Sequence, residues 1–108
     1  MRPAILLLLA LSFSACRKPE DEKVRYEVQC SSCSLTYANS SGNTEQRDMT
    51  TSWNYEFTAE KGRWLYISAQ NNNASGTVGV KIIVRGGTIE SASSSGAYVI
   101  ATASGSMP

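Results

Sequence analysis

From Val24 onward, apolar and polar side chains alternate with a period of two, and this pattern leaves few folds open to the chain. Val24, Tyr26, Val28 and Cys30 alternate with Arg25, Glu27 and Gln29, and Trp53, Tyr55 and Phe57 alternate with Asn54, Glu56 and Thr58. Successive side chains of a strand point to opposite faces, so each run predicts a strand with one buried face. Leu65, Ile67 and Ala69 alternate with Trp64, Tyr66 and Ser68, where both faces carry large groups. Val78, Val80, Ile82 and Val84 oppose Gly79, Lys81, Ile83 and Arg85, and residues 98–103 (YVIATA) close the series. Between the runs, residues 39–43 (NSSGN), 60–62 (EKG), 71–76 (NNNASG), 86–87 (GG) and 93–96 (SSSG) supply the Gly and Asn that tight turns use for positive φ.

No window carries a helical stripe. Seven or eight short strands at this spacing predict an all-β fold, an antiparallel β-sandwich over residues 24–108. A domain of this size buries a modest share of its surface and is marginally stable. Tyr26, Trp53, Tyr55, Phe57, Trp64 and Tyr66 are expected to contribute most, at about 1.5–3 kcal/mol for each large side chain fully buried. The two-sided apolar character of residues 64–70 and 78–85 predicts either a covered outer face or a contact patch for a partner.

Residues 1–15 read differently. Met1 and Arg2 give a positive start, residues 4–11 (AILLLLAL) are unbroken apolar sequence, and Ser14 and Ala15 lead to Cys16. This is the pattern of a secretory signal peptide, whose apolar run is too short to cross a hydrocarbon core of about 30 Å as a helix. Ser-Ala-Cys after the apolar run resembles the lipobox of bacterial lipoproteins, which implies cleavage before Cys16 and attachment of a diacylglycerol to its thiol. Residues 17–23 (RKPEDEK) are charged throughout apart from a proline, too polar to order themselves, and predict that 16–23 form a lipidated tether. Lys18-Pro19-Glu20-Asp21-Glu22 also resembles the acidic export signal of surface lipoproteins in Bacteroidota. The expected address is therefore the outer membrane, facing either the periplasm or the cell surface.

Taken in order, several segments of the domain resemble the extracytoplasmic domain of the MmpS family, the small membrane proteins of mycobacteria, and related small bacterial lipoproteins. They are Val24-x-Tyr26-x-Val28, Leu35-Thr36-Tyr37 with its following turn, Trp53, residues 66–71 (YISAQN), Gly76-x-Val78 leading to Lys81-Ile82, and Ser95-Gly96-Ala97-Tyr98. The resemblance implies an immunoglobulin-like sandwich and, in the mycobacterial branch, a role as accessory to RND-type exporters. That family uses a transmembrane helix where this chain has a lipid-anchor pattern. It also commonly carries a cysteine on each of two late strands, at positions aligned with Val80 and Ala103.

Chemistry has little material to work with. Without Arg2 the ten Lys and Arg become nine, equal to the nine Asp and Glu, so no basic surface for nucleic acid is expected. Histidine is absent, which removes the usual general base and the commonest metal ligand. Asp48 is the only Asp beyond residue 23, and Glu27, Glu45, Glu56, Glu60 and Glu90 read as solvated charges. No catalytic residue, cofactor or metal site is assigned. Asn39-Ser40-Ser41 and Asn73-Ala74-Ser75 read as turn chemistry, although both match the N-glycosylation pattern.

Cys30 and Cys33, in the sequence CSSC, remain. A structural zinc needs four ligands and a thioredoxin-type thiol needs a helix N-terminus. With Ser31 and Ser32 at the centre of a β-turn, the two Cα atoms fall within about 7 Å, compatible with a disulfide. Three functions follow as expectations: a non-enzymatic, lipid-anchored envelope module that assists an exporter, a thiol-disulfide or metal-handling protein using Cys30 and Cys33, and a ligand- or glycan-binding module using Trp64 or Tyr98.

Overall fold

The computed structural model describes residues 22–108. The expected signal peptide, the lipidation site Cys16 and most of the charged tether lie outside these residues. Among the described residues there are eight strands and no helix: β1 (Glu22–Gln29), β2 (Cys33–Ala38), β3 (Thr44–Met49), β4 (Trp53–Ala59), β5 (Trp64–Asn71), β6 (Thr77–Val84), β7 (Gly87–Ser95) and β8 (Ile100–Ser106). They build two antiparallel sheets, ordered β4-β1-β6-β7 and β3-β2-β5-β8, packed face to face as a β-sandwich. β1, β2, β4, β5 and β8 hold the places of strands B, C, E, F and G of an immunoglobulin sandwich, and β6 lies beside β1 where strand A would lie. The β6–β7 hairpin is thus inserted between the strands equivalent to F and G.

Several boundaries differ from the sequence reading, each for a non-local reason. β1 starts at Glu22, two residues before the expected domain edge at Val24, because Glu22 and Lys23 pair with Ala59 and Thr58 of β4. β3 (TEQRDM) shows no apolar alternation yet pairs in register with β2 from Cys33↔Met49 to Ala38↔Thr44. An edge strand needs only one partner, and its charges discourage pairing with another chain. β7 runs into the expected 93–96 turn as far as Ser95, opposite Thr77, so that the chain turns only from Gly96, and the β6–β7 turn centres on Arg85-Gly86 rather than Gly86-Gly87. Arg85 and Gly86 have φ of 53° and 81°, the two positive values of a type I′ hairpin turn.

The core follows the alternation on most strands. Val24, Tyr26 and Val28 of β1 and Val78, Val80, Ile82 and Val84 of β6 face Leu35 and Tyr37 of β2 and Leu65, Ile67 and Ala69 of β5. Val80 and Ala103, the positions aligned with cysteines in the resembled family, are both buried on strands of facing sheets. The aromatic expectation needs correction. Trp64 is 49 % exposed and Tyr66 half-buried, because Leu65, Ile67 and Ala69 take the inner parity of β5 and only one parity of a strand can point inward. Tyr37, not among the aromatics expected to contribute most to the core, is fully buried.

Five rings fill the side of the sandwich flanked by the edge strands β3 and β4. Tyr26 packs on Tyr37, Tyr55 and Phe57 with ring centroids 6.2, 6.2 and 5.3 Å apart, and Tyr37 packs on Trp53 and Tyr55 at 4.9 and 5.0 Å. The phenol of Tyr26 crosses from β1 to the opposite sheet, where it donates to the Ala38 carbonyl at 2.7 Å and accepts from the Tyr66 amide at 3.3 Å. The β2–β5 ladder runs from Cys33↔Asn71 only as far as Tyr37↔Ile67. One residue further, the hydroxyl bonds both strands where they part, replacing the direct backbone bond.

Burial, the largest influence, pushes the Tyr26 phenol up from 10.0 to about 12. An unfolded tyrosine ionises first, so the stability carried by the neutral phenol is complete below pH 10 and is lost as pH rises toward 12. Tyr26→Phe leaves the Ala38 carbonyl and Tyr66 amide without this partner and is expected to cost about 1–3 kcal/mol at neutral pH. Urea titrations at pH 7 and between pH 10 and 12 check both points: the variant is less stable at pH 7 and loses less stability on alkalinisation than the parent chain.

Candidate functional site

Cys30 and Cys33 lie where the chain leaves β1 in one sheet and enters β2 in the other. Their sulfurs are 2.04 Å apart, a disulfide, with Cα atoms separated by 6.1 Å. Ser31 and Ser32 form bends at this inter-sheet corner. Cys33 is fully buried in the core, while Cys30 is half-buried with its sulfur 3.8 Å from the Thr51 carbonyl. Attack on a disulfide requires access to a sulfur, and only Cys30 offers any. Among the described residues no group of three His, Cys, Asp or Glu side chains could hold a metal ion. The pair joins two sheets at their crossing and behaves as part of the packing.

The same end of the sandwich gathers two further loops. Asn71, 3 % exposed at the end of β5, donates through its side-chain amide to Ser75 and Gly96 carbonyls at 3.0 and 2.9 Å, and its side-chain oxygen accepts from the Asn73 amide at 3.1 Å. Its own backbone amide donates to the Val99 carbonyl at 2.8 Å. The Asn72 amide donates to the Ser32 carbonyl at 3.0 Å, so the disulfide corner, the loop after β5 and the loop before β8 are tied together. Tyr98 projects from this knot, 57 % exposed and with φ of 55°, a left-handed conformation rare for a bulky residue. Both N-glycosylation-type tripeptides do sit in turns, and Asn39 accepts from the Ser41 and Asn43 amides at 2.9 and 3.0 Å.

Two large exposed apolar side chains, Trp64 and Ile100, project from the outer face of the β3-β2-β5-β8 sheet, and Tyr98, also exposed, lies in the loop that leads into β8. Trp64 stacks on Tyr66, two residues along β5, with ring centroids 5.2 Å apart and planes inclined by 22°. At the other end Ile100 pairs with Gln70, whose amide donates to the Tyr98 carbonyl at 3.3 Å. Between the aromatic stack and Ile100 the register aligns Gln46, Thr36, Ser68 and Thr102 across all four strands. Ser68 and Thr102 hydroxyls are 3.1 Å apart. A shallow depression of about 290 Å³ opens here, walled by Thr36, Gln46, Ser68 and Gln70, with Asp48 and Ile100 at opposite edges. Sequence reasoning named Trp64 and Tyr98 singly; the polar row between the aromatic stack and Ile100 was missed, because its four members come from distant segments.

The other outer face differs in character. Lys23, Arg25, Glu27, Glu56 and Lys81 project from β1, β4 and β6, and Glu27 lies opposite Lys81. A depression of about 420 Å³ sits over Gly79, bordered by Gln29, Ser93, Glu27 and Lys81. It exists because Gly79 has no side chain to stand between Gln29 and Ser93, its partners on either side. The doubly apolar character expected of β6 resolves to Ile83 alone, half-buried beside Arg25.

Compared with known proteins, the chain matches no family model and no curated protein.

Two variants probe this end of the molecule. Cys30→Ala/Cys33→Ala is expected to keep the fold and lose about 2 kcal/mol, the constraint of a very short closed loop, in urea unfolding followed by tryptophan fluorescence. Asn71→Ala removes three part-buried hydrogen bonds and is expected to cost about 2–4 kcal/mol. In hydrogen exchange, the amides of Gly96 and Tyr98 should lose protection well before those of β1 and β6.

Proposed function

We propose that this chain is a non-enzymatic, lipid-anchored module of the bacterial cell envelope that recognises a partner through the outer face of its β3-β2-β5-β8 sheet. The observation that carries the recognition part is the placement of Trp64, Tyr66 and Ile100 on one sheet face, with Trp64 and Ile100 each about half exposed. Large exposed apolar groups gathered on one face mark interaction surfaces more often than scattered ones do. The anchoring part rests on the sequence around Cys16. Two or three acyl chains hold a protein on a membrane where a single one binds only marginally. An outer-membrane address, on the periplasmic or the surface side, follows from the same lipobox resemblance and from the acidic segment after Cys16.

The role of an exporter accessory rests on the ordered resemblance to the MmpS family, and the sandwich fold is consistent with what that resemblance implies. Cys30 and Cys33 are assigned a structural part in this reading, since Cys33 is closed off in the core.

Metabolic labelling with a palmitate analogue tests the anchor. Label should enter the wild-type chain, be lost in Cys16→Ala, and persist in Cys30→Ala/Cys33→Ala; label that survives Cys16→Ala would remove the lipid anchor from the proposal. Protease treatment of intact cells then assigns the side of the membrane, because a surface-displayed domain is cleaved and a periplasmic one is protected.

A further inference from the structure

We infer that the partner of the β3-β2-β5-β8 face is an uncharged saccharide chain, an inference that rests on the recognition role proposed above. The two outer faces of the sandwich divide the charge unequally. One projects Lys23, Arg25, Glu27, Glu56 and Lys81. On the other, the outward positions are Thr44, Gln46 and Asp48 on β3, Ser34 and Thr36 on β2, Trp64, Tyr66, Ser68 and Gln70 on β5, and Ile100, Thr102, Ser104 and Ser106 on β8. Asp48 is the single group among them charged at neutral pH, and its carboxylate already accepts from the Ser34 hydroxyl at 3.0 Å.

This composition selects a class of ligand. A peptide or protein partner of ordinary charge would find no ion pairs to align it, and a lipid surface would be met by a face made mostly of hydroxyls and amides. A neutral sugar presents the two chemistries the face can use. Its hydroxyls exchange donor and acceptor roles with Ser, Thr and Gln side chains, which can do either. The C–H face of a pyranose ring packs against an aromatic ring, which offers a large rigid apolar surface at little entropic cost. The Trp64–Tyr66 stack supplies such a surface at one end, and Ile100, opposite Gln70, adds an apolar contact at the other. From Trp64 to Gln70 is six strand residues, about 20 Å. A lane of this length fits several sugar units, so the face suits an oligosaccharide or polymer better than a single monosaccharide. The depression over Thr36, Gln46, Ser68 and Gln70 lies between the two apolar ends.

Affinity electrophoresis tests this directly. The full chain is run in native gels containing a neutral polysaccharide (laminarin, xyloglucan or galactomannan) or the acidic polygalacturonate. Retardation by at least one neutral polymer is expected, weakened at least tenfold in Trp64→Ala and also in Thr102→Lys, which places a charge in the polar row. Both substitutions are at exposed sites, and circular dichroism confirms that the variants remain folded. Retardation by none of the three neutral polymers would overturn the inference. So would retardation by polygalacturonate alone, equal retardation of Trp64→Ala and wild type, or a dimer in sedimentation that Trp64→Ala abolishes, which would make a second copy the occupant. The lipid anchor takes no part in this assay, so failure of the palmitate labelling and failure of glycan binding are separately readable.

Discussion

The Tyr26 hydroxyl, carried on β1 and bonded to Ala38 and Tyr66 of the opposite sheet, sets the spacing of the sandwich on its aromatic side. Its position obliges much else. The ring must be inside for the hydroxyl to reach across, and Tyr37, Tyr55 and Phe57 close round it. Hydrogen bonds at the rim hold these rings in place. The Tyr37 hydroxyl donates to Glu45 at 3.2 Å and accepts from Arg47 at 3.1 Å, and the Tyr55 hydroxyl accepts from the Ser40 amide at 3.2 Å. A polar group shared between sheets is stable only if both of its backbone partners are satisfied, and this requirement pins the register of β1 against β2 and β5.

The opposite side and the disulfide end are built on different chemistry. Small residues such as Ala101 and Ala103 line β8 and leave the valines of β6 room to pack, so no ring is needed there. At the Cys30–Cys33 corner the chain crosses between sheets, and Asn71 links the loops that adjoin it through side-chain bonds to backbone. Rigidity at that corner matters for the proposed binding face. Gln70 donates to the Tyr98 carbonyl in a loop whose backbone is held by Asn71 and Asn73, and Ser34 touches Asn72, so the Ile100 end of the lane adjoins the same knot that closes the sandwich.

Much of the fold was legible along the chain. The alternation at Val24, Tyr26 and Val28 and at Val78, Val80 and Ile82 marked the inward positions, because burial of one face leaves a period-two trace. The Asn39 and Arg85-Gly86 turns were announced by residues that tolerate or organise tight backbone, to within a residue of where they fall. β3 left no such trace, since a polar edge strand takes its conformation from its neighbour and not from its own side chains. The proximity of Cys30 and Cys33 followed from a separation of three residues; that Cys33 is buried and Cys30 is not followed from the corner they occupy.

Of the candidate site, the sequence alone identified the exposed aromatic Trp64 and none of the polar row beside it, and its other aromatic candidate, Tyr98, lies in the loop before β8. It determined where strands and turns alternate, that the fold is all-β, and that general-base chemistry by histidine is unavailable, because these depend on residue type and local spacing. Only the tertiary structure decided which parity of β5 points inward, that Gln46, Thr36, Ser68 and Thr102 form one row, and that charge gathers on one outer face and not the other. Those features come from pairing between segments tens of residues apart, and a period of two records the face a residue shares with its strand neighbours but not the strand that will lie beside it.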